Sequence, residues 1–209
     1  MKYEWKKHAK DLYLPARTPQ LVNVPKLPFF MIKGEGDPNK DAFLEKVGVL
    51  YSLAYAVKML PKKGITPAGY YDYTVFPLEG IWDLSEEGRQ AKQWDKSQLV
   101  YTIMIRQPDY LNQALADEVL QMVSNKSPNP LLNQIEFSYV EDGLCVQMLH
   151  LGSYDNEPES FKLMNEFCNE NSLKKKTYTH REIYLSDARK VAPEKLKTVL
   201  RYQISKESK

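Results

Sequence analysis

One order of elements, strand, helix, strand, strand, occurs twice along this chain, and it restricts the fold more than any single motif. In the first pass, residues 29–34 (Phe-Phe-Met-Ile-Lys-Gly) form a short apolar run closed by Gly-Glu-Gly-Asp-Pro, a strand and then a turn. Residues 41–60 follow, with Phe43, Val47, Leu50, Ala54 and Val57 at spacings of four and three. That spacing predicts a helix, which Asp41 can cap. Residues 70–83 and 98–106 read as two strands, the first demoted to an edge or a bulge by Pro77. In the second pass, residues 144–151 predict a strand, and Pro158 opens a helix over about 158–171. Residues 177–186 alternate strictly, and 197–204 form the last strand. The predicted class is α+β: two tandem repeats related by a pseudo-twofold axis, over 28–108 and 144–204. An antiparallel sheet would carry helices on one face and a ligand cleft on the other. Residues 1–27, rich in proline, read as an arm without regular structure, and 109–143 as a linking helix and strand, all within one domain over 1–209.

Each repeat carries a glutamate in the strand after its helix, Glu79 in Pro77-Leu-Glu-Gly-Ile and Glu182 in His180-Arg-Glu-Ile. Glutamate is disfavoured in strands. Alternation along 177–186 puts Tyr178, His180, Glu182 and Tyr184 on one face and Ile183 and Leu185 on the other, the face expected to cover the helices. A carboxylate among aromatics loses hydration, holds its proton more tightly, and favours a cation, a hydrogen-bond donor or proton transfer. The competing reading is a plain solvated glutamate beside Arg181. If the two repeats pair their sheets, Glu79 and Glu182 approach each other, and Trp82, Phe30, Tyr51 and Tyr55 are candidate walls. Trp82 lies three residues from Glu79, off its face unless Gly80 hosts a bulge. Tyr51 and Tyr55 sit on a helical stripe that more often faces a core. His150 ends a strand; it reads first as a structural group and second as a ligand contact. The chain has 14 Tyr against 7 Phe and 3 Trp, which suits either a wet, ligand-facing surface or a tyrosine-rich core.

Several function classes are excluded. The net charge is +2 and the basic clusters lack the arginine, glycine or aromatic interleaving of a nucleic-acid surface, so no nucleic-acid partner is expected. None of the three histidines stands at metal spacing, so no metal and no organic cofactor is expected. No phosphate loop, dinucleotide turn or nucleophile elbow occurs. The two cysteines, Cys145 and Cys168, make no disulfide framework and fit a reduced, cytoplasmic protein. No apolar run is long enough to span a membrane, and the first ten residues do not read as a signal peptide.

The segments Lys33-Gly-Glu-Gly-Asp-Pro-Asn39, Pro77-Leu-Glu-Gly-Ile-Trp82, Ile105-Arg-Gln-Pro108, Gln147-Met-Leu-His-Leu-Gly152 with Tyr154-Asp155, and His180-Arg-Glu-Ile-Tyr-Leu-Ser-Asp187 resemble the GyrI-like small-molecule-binding domains. The last segment is the most specific. Ala188 stands where similar sequences carry proline, a change confined to a turn. The resemblance covers Pro28 to Ile204. It implies a cleft between two tandem repeats and binding of hydrophobic, flat, often cationic aromatic compounds. Glu182 would lie at the centre as charge partner or general base, with His180 able to assist. Some stand-alone members hydrolyse cyclopropane-bearing genotoxins, which implies a hydrolase as one outcome. A drug-sensing or sequestering module, or a protein-binding regulator, is the alternative. The 27-residue arm is too short for a DNA-binding helix pair.

Overall fold

The computed structural model describes residues 2–206. In chain order the elements are α1 (Trp5–His8), α2 (Lys10–Tyr13), β1 (Gln20–Val24), β2 (Leu27–Glu35), α3 (Asp41–Lys58), β3 (Leu78–Leu84), α4 (Glu86–Gln90), β4 (Leu99–Arg106), α5 (Gln113–Lys126), β5 (Glu136–Val140), β6 (Gly143–Leu151), α6 (Glu157–Glu170), β7 (Leu173–Lys175), β8 (His180–Tyr184) and β9 (Lys197–Lys206). The strand pairs β1–β6, β2–β4, β2–β5, β3–β8, β6–β9, β7–β9 and β8–β9 are all antiparallel. With short insertions set aside, the order strand, helix, strand, strand occurs twice, as β2-α3-β3-β4 with α4 between the last two strands, and as β6-α6-β8-β9 with β7 after the helix. The proline-rich arm is more ordered than its composition suggests. Trp5 and Tyr13 are buried on α1 and α2, and β1 pairs with β6. Local propensity is weak there, and these tertiary contacts decide the structure.

The chain divides into two compact units. The first holds Leu27–Leu78 and Asp83–Val140 with the first few residues. In it β2 lies between β4 and β5, with Phe30 opposite Ile105 on one side and Phe137 on the other. Helix α3 packs on β2 and β4 and against α5, burying Leu50, Leu53 and Val57. Much of the chain's tyrosine is used here. Tyr3, Tyr70, Tyr71, Tyr73, Phe76 and Tyr110 form a run of rings with centroids 5.3–6.4 Å apart.

The second unit holds Trp5–Lys26, Glu79–Trp82 and the chain from Glu141 onward. Its strands lie in the order β1, β6, β9, β8 and the Glu79–Trp82 stretch of β3, with β7 paired to the end of β9. Antiparallel partners share a face, so the registers sort the side chains. One face carries Val146, Met148, Leu200 and Tyr202, and α6 covers it with Met164 and Cys168. Glu182 lies opposite Leu200 and opposite Gly80, so it belongs to this face. The other face carries Ile183, Arg181, Arg201 and Glu79 and is met by α2 through Tyr13. The helices expected over Ile183 are therefore the short N-terminal ones, and the 14-residue α6 lies over the Glu182 face.

Candidate functional site

Strand β8 places opposite chemistry on its two faces. Arg181 points to the α2 side, where its guanidinium donates to Glu79 Oε2 at 2.8 Å and to Asp142 Oδ1 at 2.9 Å. The Tyr13 hydroxyl donates to the other Glu79 oxygen at 3.2 Å. Across the β8–β9 ladder, Arg201 donates to Gln147 Oε1 at 2.8 and 3.0 Å and to the Leu12 carbonyl. Burial alone would lower the Arg181 pKa. The Glu79 and Asp142 carboxylates outweigh it and hold the group charged. Two buried arginines thus face two carboxylates and one amide, and the charges on this side balance.

The side chains on the α6 side do not balance. Glu182 is nearly buried. Its Oε1 lies 2.9 Å from His180 Nε2, and its Oε2 accepts from the Tyr184 hydroxyl at 2.8 Å. The Tyr184 oxygen in turn accepts from the Trp82 indole N–H at 2.7 Å. An indole N–H can only donate, so the Tyr184 proton is left to point at Glu182. Tyr184 therefore donates to Glu182 while Trp82 fixes the Tyr184 hydroxyl from behind, and the His180 ring nitrogen stands against the other carboxylate oxygen. No lysine or arginine among the described residues pairs with Glu182.

A second carboxylate stands beside it. Glu157, the first residue of α6, is buried, and its Oε1 has no hydrogen-bond partner. Burial, then the Glu182 and Asp155 carboxylates, push its pKa up to about 9. The raised carboxyl that desolvation predicts thus arises at Glu157, a position the sequence reading does not single out. Burial and then the neighbouring Glu182 raise the Tyr184 hydroxyl, and the same two causes, in that order, bring Tyr154 up to about 12. Both phenols stay protonated. Their rings meet edge-on at 6.0 Å, and the Phe161 ring stands 4.8 Å from His180. Tyr154 and Phe161 complete the aromatic surroundings. Tyr154 stands in the Tyr154-Asp155 segment named above, and Phe161 lies one turn into α6.

The geometry gathers four of the expected residues, Glu182, His180, Tyr184 and Trp82. Trp82 reaches the Glu182 face by plain alternation, opposite His180, and no bulge at Gly80 is needed. Gly80 has a different use. A Cβ there would lie 2.6 Å from Trp82 Nε1, so only glycine lets the indole fold across the strand. The expected approach of Glu79 and Glu182 does not occur. In the β3–β8 register Glu79 is opposite Ile183, so it lies on the far face of the sheet, bound to Arg181 and Tyr13. His150 shares the Glu182 face, but Ser160 Oγ and the Ser153 carbonyl occupy its two ring nitrogens, each at 2.9 Å. Tyr178 precedes β8 and is 83% exposed. The remaining three belong to the first unit. Phe30 is wholly buried edge-on to Phe137, while Tyr51 is half-buried and Tyr55 exposed on α3. A hollow of about 120 Å³ in that unit, lined by Met31, Lys33, Thr102 and Glu136 among others, is too small for an aromatic ligand. No helix among the described residues is long and apolar enough to cross a membrane.

Residues 17–204 match the profile of the GyrI-like small molecule binding domain. Two structures described as hydrolases from Listeria innocua superpose with TM-scores of 0.88 and 0.89. They are 32% and 34% identical in sequence, with 97% and 98% of this chain and 100% of each of theirs covered. The EcmrR C-terminal domain, at 12% identity and a TM-score of 0.53 over 94% of this chain and 99% of its own, shares the fold. No functionally curated protein matches. The chain belongs to the GyrI-like small-molecule-binding domain family.

Proposed function

We propose that the second unit binds flat, apolar organic cations on the α6 side of its sheet, with Glu182 as charge partner. One observation carries the reading. Glu182 is a nearly buried carboxylate that accepts a hydrogen bond from Tyr184, lies 2.9 Å from His180 Nε2, and has no lysine or arginine against it among the described residues. Such a group favours a positive charge supplied from outside. The rings of Trp82, Tyr154, Tyr184 and Phe161 supply the flat apolar contacts, and cation–π attraction adds to the charge term. The balanced network on the opposite face leaves Glu79 nothing to offer a ligand. In this reading the protein is cytoplasmic and meets compounds that have entered the cell.

A second reading, hydrolysis of cyclopropane-bearing genotoxins, is favoured by the His180–Glu182 contact and by the two hydrolases to which the chain is similar. In it Glu182 takes one proton from a water. The water oxygen, keeping its other hydrogen, bonds to a ring carbon; the strained carbon–carbon bond breaks with its electron pair going to the other carbon, and that carbon takes the proton from Glu182. The sum is the addition of one water.

Titration with a cationic aromatic dye and with a neutral dye of the same shape tests the binding reading. Wild-type protein should prefer the cation, and Glu182→Gln should lose about tenfold or more of that affinity, as expected for a charge-assisted contact. Equal affinity for the two dyes, or no effect of Glu182→Gln in a folded variant, refutes it. Incubation with a cyclopropane-bearing alkylating drug tests the second reading: a mass gain of one water that requires Glu182 supports hydrolysis. An unchanged mass with saturable binding leaves a sensing or sequestering module.

A further inference from the structure

The proton-binding and metal-binding chemistries of one small cluster in the second unit go beyond recognition of organic cations. One carboxylate oxygen of Glu157, one ring nitrogen of His180 and one carboxylate oxygen of Glu182 all lie within 4.8 Å of one another. Two of these come from β8, where an i, i+2 spacing puts them on one face, and the third from the start of α6. We propose that Glu157, His180 and Glu182 form a binding site for one divalent transition-metal cation of the zinc type.

Four observations carry this. The first is that Glu157, a member of the cluster, is buried and has one carboxylate oxygen with no hydrogen-bond partner. A buried oxygen of that kind is costly, and an ion is one of the few partners that satisfies it. The second is the donor set. Two carboxylate oxygens and one imidazole nitrogen suit zinc and its first-row neighbours, whereas magnesium and calcium prefer oxygen alone. Three protein ligands leave a position open, the arrangement of sites that hold a water or a substrate. The third is distance. Zinc bonds of about 2.0–2.2 Å place neighbouring ligand atoms roughly 3–3.5 Å apart. His180 Nε2 and Glu182 Oε1 are already at 2.9 Å, and a Glu157 carboxylate oxygen lies within 4.8 Å of a ligand atom of each. The fourth is the support behind the ligands. Tyr184 donates to Glu182 Oε2 at 2.8 Å and so turns Oε1 toward the cluster, and the Phe161 ring holds the His180 imidazole edge-on at 4.8 Å. A metal would take the place of the proton between His180 and Glu182 and of the one that Glu157 otherwise holds. The nearest arginine in sequence, Arg181, points to the other face, where Glu79 and Asp142 hold it.

The site shares Glu182 with the proposed organic ligand but does not depend on that reading. The dye titrations are run in chelator, so either can fail alone. The test uses the full chain stripped with chelator, titrated with ZnCl₂ by calorimetry, with metal content measured after gel filtration. Wild-type protein should take up one zinc per chain with micromolar or tighter affinity and melt at a higher temperature with the ion present. Glu157→Gln and His180→Gln should each weaken uptake at least tenfold while keeping the wild-type circular dichroism. Two variants on different elements keep the test sound if one of them unfolds. No saturable uptake, uptake equal in wild type and both variants, or magnesium bound as tightly as zinc, each overturns the proposal.

Discussion

Replacing Gly80 by alanine adds one methyl group at the point where β3 faces Glu182. The backbone tolerates it, since Gly80 does not lie in the left-handed region. The space does not. The new Cβ would lie 2.6 Å from Trp82 Nε1, 3.3 Å from Trp82 Cε2 and 3.3 Å from the Tyr184 hydroxyl. Ordinary contacts of this kind are about 3.5–4.0 Å, so the indole must retreat by roughly 1 Å. That retreat takes the 2.7 Å bond from Trp82 to Tyr184 past hydrogen-bonding distance. The lost bond costs about 1 kcal/mol. Overpacking adds about 1–3 kcal/mol, and the stiffer unfolded chain returns about 0.4–1 kcal/mol. The net loss is roughly 1–3 kcal/mol, which for a chain of this length is a fall in Tm of about 2–12 °C. Ligand affinity should fall further than the melting temperature suggests, because Trp82 and Tyr184 both wall the site. Thermal melts, near-ultraviolet circular dichroism and dye titration measure the three quantities together, with Tyr184→Phe as the variant that breaks the same bond without added volume. Gly80→Ala protein with wild-type Tm and wild-type affinity would refute the argument, because the indole could not then lie across residue 80.

The two faces of β8 give the next test. Arg181→Met leaves Glu79 and Asp142 buried without their cation and should cost about 3–5 kcal/mol, a Tm loss on the order of 10 °C. Glu182→Gln should move Tm by only a few degrees while removing cation binding; a larger Tm loss for Glu182→Gln than for Arg181→Met would reverse the division of labour. Cys145 is buried, and burial followed by the Asp142 charge pushes its thiol up to about 11, so almost none is thiolate at pH 7.5. Cys168 is also buried, within reach of the Tyr202 hydroxyl at 3.5 Å. Iodoacetamide should label neither residue in native protein within an hour and both in denaturant, as mass spectrometry will show; rapid native labelling would mean that the core opens.

The difference between what was legible in this sequence and what was not follows the range of the interactions involved. The strands and helices came from periodicity, which is local, and the predicted elements over 41–60, 98–106, 144–151 and 158–171 differ from the observed ones by at most three residues at either end. Alternation along β8 likewise grouped His180, Glu182 and Tyr184. The strand expected over 70–83 begins only at Leu78, after Pro77, and is internal to the sheet rather than at its edge; the other failures concern register and sequence-distant partners. Glu79 and Glu182 look equivalent as mid-strand glutamates, but a register of Gly80 against Glu182 puts them on opposite faces, and nothing within either strand announces that register. The same register brings Trp82 opposite His180, which is why a residue that seemed to need a bulge reaches the site without one. Glu157 was invisible for a related reason. A glutamate in the first turn of a helix is normally a solvated partner of the helix dipole, and only the placement of α6 over the Glu182 face buries it. The arm was misread because proline-rich composition weakens local structure but says nothing of the hydrogen bonds that Tyr13 and the Leu12 carbonyl make to the buried charges of the sheet. Those bonds also account for the chain's economy. The sheet's inner charges neutralise one another, Arg181 against Glu79 and Asp142, while Tyr13 and the Leu12 carbonyl complete their hydrogen bonds; this leaves Glu182, on the other face, as the nearly buried carboxylate of β8 with no lysine or arginine against it among the described residues.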